Sequence, residues 1–130
     1  MEPIKEFTRD EFKCQCGSCN YGYEDMDETF LSMLFTARKT SRVPFNLTST
    51  VRCPLHKLAR SNPTSSHNAD RYASRKSKAV DIAAITSNDV YEIMEALKKA
   101  GFTRLGWNMD KKFIHVDSDS AKVQRVIFAY

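Results

Sequence analysis

No stretch of this 130-residue chain approaches the roughly 18 consecutive apolar residues that a membrane span needs. The first twelve residues, MEPIKEFTRDEF, lack the apolar core of a secretion signal, so we expect synthesis in the cytoplasm without a Sec address. Internal repeats, low-complexity tracts and interdomain linkers are absent, which argues for a single domain over residues 1–130. There is no basic–aromatic motif of the kind that reads nucleic acid, and nucleic acid is not an expected partner. The paired CxxC knuckles of ordinary structural zinc sites are missing too.

What is present fits a soluble globular domain, with 42% hydrophobic and 28% charged residues. The net charge of +4 is unevenly spread. Residues 1–32 carry eight acids and three bases, residues 33–80 one acid (Asp70) and ten bases, and residues 81–130 seven of each. A basic middle suits an anionic polymer or a carboxylate-ended substrate, or it is simply a solvated surface. Four cysteines are present, three of them in Cys14-Gln-Cys16-Gly-Ser-Cys19 and the fourth at Cys53. Clustered thiols in a cytoplasmic chain point to metal or redox chemistry. A four-thiolate zinc site is one reading; buried free thiols or a disulfide are preferred to it.

Thr8-Arg-Asp-Glu11 has the pattern of a capping box and predicts a short helical turn carrying Phe12. Asp25 or Asp27 is expected to cap a helix to about Lys39, with Phe30, Leu31, Leu34 and Phe35 as its apolar stripe. Residues 45–51 alternate like a strand, whereas Arg52 to Lys78 is polar and irregular. A long irregular stretch inside a small domain is often functional. Ala79–Ala84 reads as a short apolar strand, and Ser87 or Asn88 as the cap of a helix ending at Gly101. Strand-like pieces follow at 102–107, 112–117 and 123–130. This order predicts an α+β domain with a small, mainly antiparallel sheet and helices packed on it.

Two features do not look like packing. Asp81 lies inside the apolar run Ala-Val-Asp-Ile-Ala-Ala, where a lone carboxylate is costly without a strong partner. His115 lies in Phe-Ile-His-Val-Asp, with Asp117 two residues on and therefore on the same face of a strand. His67 sits in the polar stretch. Two histidines and a carboxylate, with a fourth position open to water, form a catalytic zinc arrangement, and His67, Asp81 and His115 supply that set. The alternatives are an ion-paired Asp81 and hydrogen-bonded histidines, and His56 is a rival ligand.

In order along the chain, several segments resemble the D-Ala-D-Ala carboxypeptidase-like zinc metallopeptidases, whose fold is shared with the hedgehog signalling domain. These are Phe7–Phe12, Cys14-Gln-Cys-Gly17, Leu47-Thr-Ser-Thr-Val-Arg52-Cys-Pro54, Asn62-Pro-Thr-Ser-Ser-His67, Lys78-Ala-Val-Asp-Ile82, Gly101-Phe102, Phe113-Ile-His-Val-Asp117 and the final Arg125 to Tyr130. The resemblance implies a peptidase acting on peptidoglycan stems or cross-links, with Zn2+ held by His67, Asp81 and His115. It implies that Arg52 binds a carboxylate or carbonyl of the substrate, assisted by Ser49 or Thr50. Asp117 and Asp110 are the two candidates for the general base, since Lys112 occupies the position where the family often has its acid.

One departure stands out. The family usually places the first histidine seven residues before the aspartate, with a glycine between. Here His67 precedes Asp81 by fourteen, and Asn68 to Ser77 contains no glycine. Either an insertion at about 68–77 forms a hairpin or flap over the cleft and His67 still reaches the metal, which costs little closure entropy, or the first ligand is lost. The preferred reading is a monomeric hydrolase of the bacterial cell wall, as in phage endolysins released by holins or carried by virions. The alternatives are a non-catalytic module of the same fold that binds wall peptides or protein, and a cysteine-organised zinc-ribbon-like domain.

Overall fold

A computed structural model describes residues 7–130. The chain is α+β, with a five-stranded sheet in the order β1-β2-β4-β3-β5. Its opening turn, Arg9–Phe12, is closed by Glu11 reaching back to the Thr8 amide, and it buries Phe12 completely.

Helix α1 (Glu28–Thr40) is capped by Asp27, whose side chain accepts from the Phe30 amide at 2.9 Å. Phe30, Leu31, Leu34 and Ala37 are its buried stripe, and Phe35 is only half-buried. Asp25, the other expected cap, has a different task. It is buried, accepts the Gly22 amide at 2.9 Å, and receives two hydrogen bonds from Arg71 at 2.8 and 2.9 Å. Burial pushes its carboxyl up, but Arg71 and the Gly22 amide outweigh this and hold it below the ordinary value. A carboxylate depressed in the folded state adds stability above its unfolded pKa, and that stability is lost as pH falls through the lower folded value. Arg71→Ala is therefore expected to lower stability at neutral pH. Urea unfolding should show the gap to wild type narrowing in acid.

The strand expected over 45–51 pairs only at β1 (Leu47–Ser49), where an irregularity shifts the register between Leu47 and Ser49. The irregular stretch after it contains a short helix, α2 (Lys57–Ser61), and a 3-10 turn at Arg71–Ala73. His56 caps α2: its Nδ1 accepts from the Leu58 amide at 3.0 Å. That bond occupies Nδ1, and His56 is not among the side chains that converge with His67, Asp81 and His115.

Strand β2 (Ala79–Ala83) lies between β1 and β4 (Phe113–Asp117), antiparallel to both. Helix α3 (Ser87–Lys99) is capped by Thr86, not Ser87 or Asn88, in a reciprocal pair with Asp89. Gly101, at φ +103°, follows the helix in a conformation that favours glycine. Strands β3 (Arg104–Asn108) and β4 form a hairpin. At the end where Asp117 faces Arg104, residues 118–125 turn the chain round, so β5 (Val126–Ala129) runs parallel to β3. Val80, Ile82, Leu105, Ile114 and Val116 share one sheet face and are buried with residues of α1 and α3. Phe102 meets Phe30 with ring centroids 5.4 Å apart.

Candidate metal centre and cleft

The opposite face of the sheet carries the polar chemistry. Residues paired across neighbouring strands share a face, and the register lines up Ser49, Asp81, His115, Gly106 and Phe128 as one row across five strands. Sheet pairing therefore sets Asp81 against His115 directly. His67 arrives from the loop, held where the Arg52 amide donates to its carbonyl at 3.0 Å and the Ala69 amide to the Arg52 carbonyl at 2.9 Å. His67, Asp81 and His115 are all buried, and each offers one ligand atom within 4.8 Å of the others.

The hydrogen bonds define which ring nitrogen faces the centre. His67 Nδ1 lies 2.8 Å from the Thr50 carbonyl, which can only accept, so Nδ1 carries the hydrogen and Nε2 is turned to Asp81 Oδ1 at 3.2 Å. His115 Nε2 lies 2.7 Å from Asp117 Oδ2, and its Nδ1 faces the same Asp81 oxygen at 3.0 Å. A carbonyl and a carboxylate thus hold the outer nitrogens, the arrangement that orients histidine ligands around a metal. Burial carries His67 below the ordinary imidazole pKa despite Asp81. Burial also acts on His115, but hydrogen bonds to Asp117 and Asp81 overcome it and raise its value. Asp81 is pushed up by burial and held down more strongly by the two histidines.

A family model described as Peptidase M15 matches residues 5–117. The chain belongs to the peptidase M15 family. Comparisons with curated proteins and with solved structures return no match. M15 peptidases are metal-dependent, and the donor set fits a metal: two imidazole nitrogens and a buried carboxylate converge on one point, with no lysine or arginine ion-paired to Asp81 among the described residues.

The other expected site residues of this M15 chain divide sharply. Arg52 lines the cleft beside His67 and Asp81. Its Nη2 donates to Ser49 Oγ at 3.2 Å and its Nη1 approaches Ser65 Oγ at 3.4 Å. Its buried Nε has no partner, and it forms no ion pair among the described residues. Ser49 is outside the cleft lining and accepts a hydrogen bond from Arg52. Asp110 lies on the exposed β3–β4 turn and does not line the cleft. Asp117 is buried with both oxygens engaged: Oδ1 accepts Arg104 Nε at 2.9 Å and the Asp119 amide at 3.0 Å, and Oδ2 takes His115. Asp117→Asn keeps the shape but removes the charge that faces His115 and Arg104. Metal affinity is expected to fall about 10–100-fold, measured by competition with a chromophoric chelator.

The Asn68–Ser77 segment forms a turn closed by reciprocal amide bonds between Asp70 and Arg75 at 2.9 Å. Arg71 ties it to Asp25, to Asn20 Oδ1 at 2.7 Å, and to the face of Tyr21 at 4.2 Å. It is docked against the N-terminal loop and is no flap over the metal side of the cleft. Three residues went unread in the sequence. Arg104 backs Asp117 and passes 5.2 Å from the Phe128 ring. Phe128 packs 5.9 Å from His115. Gly106 makes room for it, because a Cβ there would stand 2.4 Å from the Phe128 ring. A glycine inside a strand signals such close approach and was the available clue.

Proposed function

We propose that this M15 chain is a zinc peptidase that hydrolyses peptide bonds in bacterial peptidoglycan stems or cross-links, as a D-Ala-D-Ala carboxypeptidase or endopeptidase acting at the cell wall. The observation that carries the reading is the convergence of His67 Nε2, His115 Nδ1 and the Asp81 carboxylate beside an arginine that forms no ion pair among the described residues. His67, Asp81 and His115 would hold the zinc, which when bound lowers the pKa of a coordinated water and polarises a carbonyl. Arg52 supplies a fixed cation for a stem-peptide carboxylate or for the scissile carbonyl, and Ser49 and Ser65 set its direction. Asp117 acts as a positioning residue: it keeps the Nε2 hydrogen of His115 and leaves Nδ1 free. Its engaged, buried oxygens explain why it is not assigned the proton-accepting role. Alongside the cleft runs a groove lined by four cations, Arg75, Lys76, Lys78 and Lys122, against two carboxylates, Asp27 and Asp119, and the net positive charge suits the carboxylates along a wall peptide.

Purified protein incubated with murein sacculi is expected to release new amino groups or free D-alanine. A chelator should stop the release and added zinc restore it. Folded, zinc-loaded protein that binds sacculi and releases neither product would overturn the assignment in favour of a binding module.

A further inference from the structure

The second group of metal-type side chains lies outside the cleft: none of the four cysteines lines it. Residues 14–19 and residue 53 come from segments far apart in sequence, yet the sulfurs of Cys14, Cys16, Cys19 and Cys53 all lie within 4.8 Å of one another. Cys16 and Cys19 are 3.4 Å apart, and Cys53 and Cys16 are 3.5 Å apart. Four sulfurs at about 2.3 Å from a tetrahedral zinc stand roughly 3.8 Å from one another, so these spacings fit. A disulfide needs about 2.05 Å, and all four thiols are free in the structure. No disulfide is formed: the thiols are free, Cys14 and Cys53 are buried, and all four are drawn together in one cluster.

The backbone around the cluster is arranged to receive negative sulfur. The Ser18 amide donates to Cys16 Sγ at 3.4 Å and the Cys53 amide to Cys14 Sγ at 3.3 Å. Two of the four sulfurs, Cys14 and Cys16, thus each accept a backbone amide. A neutral thiol is a weak acceptor, whereas a thiolate makes charge-assisted bonds of this kind. Cys14 and Cys53 are buried, and four sulfurs sharing negative charge need a compensating cation.

We propose that Cys14, Cys16, Cys19 and Cys53 bind a second zinc ion as a closed four-thiolate structural site. It staples the N-terminal loop to the segment carrying Arg52, the neighbour of Cys53, whose backbone in turn holds His67. The site does not depend on the hydrolytic assignment.

The test is metal content of the full chain, purified under reducing conditions without chelator, together with zinc-edge X-ray absorption. Wild type is expected to hold two zinc ions per chain, with a sulfur shell at about 2.3 Å. Cys16→Ser and Cys19→Ser should each hold one ion without that shell, and His115→Ala one ion with the shell kept. Should the serine variants fail to fold, cobalt exchange into wild type and His115→Ala still decides, because thiolate–cobalt bonds give an intense charge-transfer absorption that histidine and carboxylate ligands do not. Wild type without a sulfur shell, or cysteines that resist alkylation until a reductant is added, would overturn the proposal. Loss of hydrolysis in His115→Ala with the sulfur shell retained concerns the cleft alone.

Discussion

His115→Ala is expected to lose one zinc ion per chain and to lower murein hydrolysis on the order of 10³-fold or more. A catalytic metal supplies several kcal/mol of transition-state stabilisation, and each 1.36 kcal/mol is about tenfold in rate. His115 lies between two carboxylates, with Asp81 on one nitrogen and Asp117 on the other. Its removal also leaves two buried carboxylates short of a partner, and breaking such an arrangement costs roughly 3–5 kcal/mol of stability. Circular dichroism and zinc content must therefore be read beside the rate. His67→Ala is the companion variant, since it removes a ligand held by a loop instead of a strand. Asp110→Asn is the control: it changes an exposed turn and should leave zinc content and rate near wild type. A folded His115→Ala protein that hydrolyses murein within tenfold of wild type would reject the centre as catalytic. Zinc binding by wild type should also weaken on acidification, because both histidines must be deprotonated to bind the metal.

Arg52→Ala is expected to lower kcat/KM about 10²-fold with zinc content unchanged. Burial pulls the Arg52 guanidinium below its ordinary pKa, with Asp81 acting in the opposite direction, yet an arginine remains charged in a protein. A half-buried cation whose described contacts are two serine hydroxyls, and whose Nε is unpartnered, has unspent capacity for an anion. Truncating one partner of a desolvated charge pair costs about 2–5 kcal/mol, which is the basis of the expected loss. Arg52→Lys should recover only part of it, because a point charge does not reproduce the two-pronged geometry. The loss should appear mainly with substrates that present a carboxylate at this place, and capping that carboxylate should erase the difference between wild type and Arg52→Ala. Equal losses on capped and free substrates would remove the carboxylate role and leave Arg52 to the scissile carbonyl or to structure.

Some of this was legible in the residues because it is written in local patterns. Asp81 in an apolar run and His115 two residues from Asp117 stood out because strand periodicity makes a buried charge conspicuous. The helix carrying Phe30, Leu31 and Leu34 followed from its spacing. Less legible were positions whose meaning depends on a hydrogen bond. Asp25 and Asp27 look alike as caps, and only the approach of Arg71, 46 residues away, separates them. Ser87 and Asn88 looked better placed than Thr86 because the Thr86–Asp89 reciprocal pair is a matter of backbone geometry. Asp117 has the composition of a general base, and its neighbours Arg104 and Asp119 use up the oxygens that role would need.

By itself the sequence determined the fold class, the ordered motifs that place the chain in the M15 family, and the chemical types able to hold a metal. These rest on periodicity and residue identity, which do not need long-range contacts. Tertiary structure alone decided which nitrogen of each histidine faces Asp81, that the fourteen-residue separation still brings His67 to it, that the turn closed by Asp70 and Arg75 docks on the N-terminal loop, and that four dispersed sulfurs meet. Each of these depends on sheet register and loop closure, where distant residues acquire a shared face or a shared hydrogen bond only once the chain has folded.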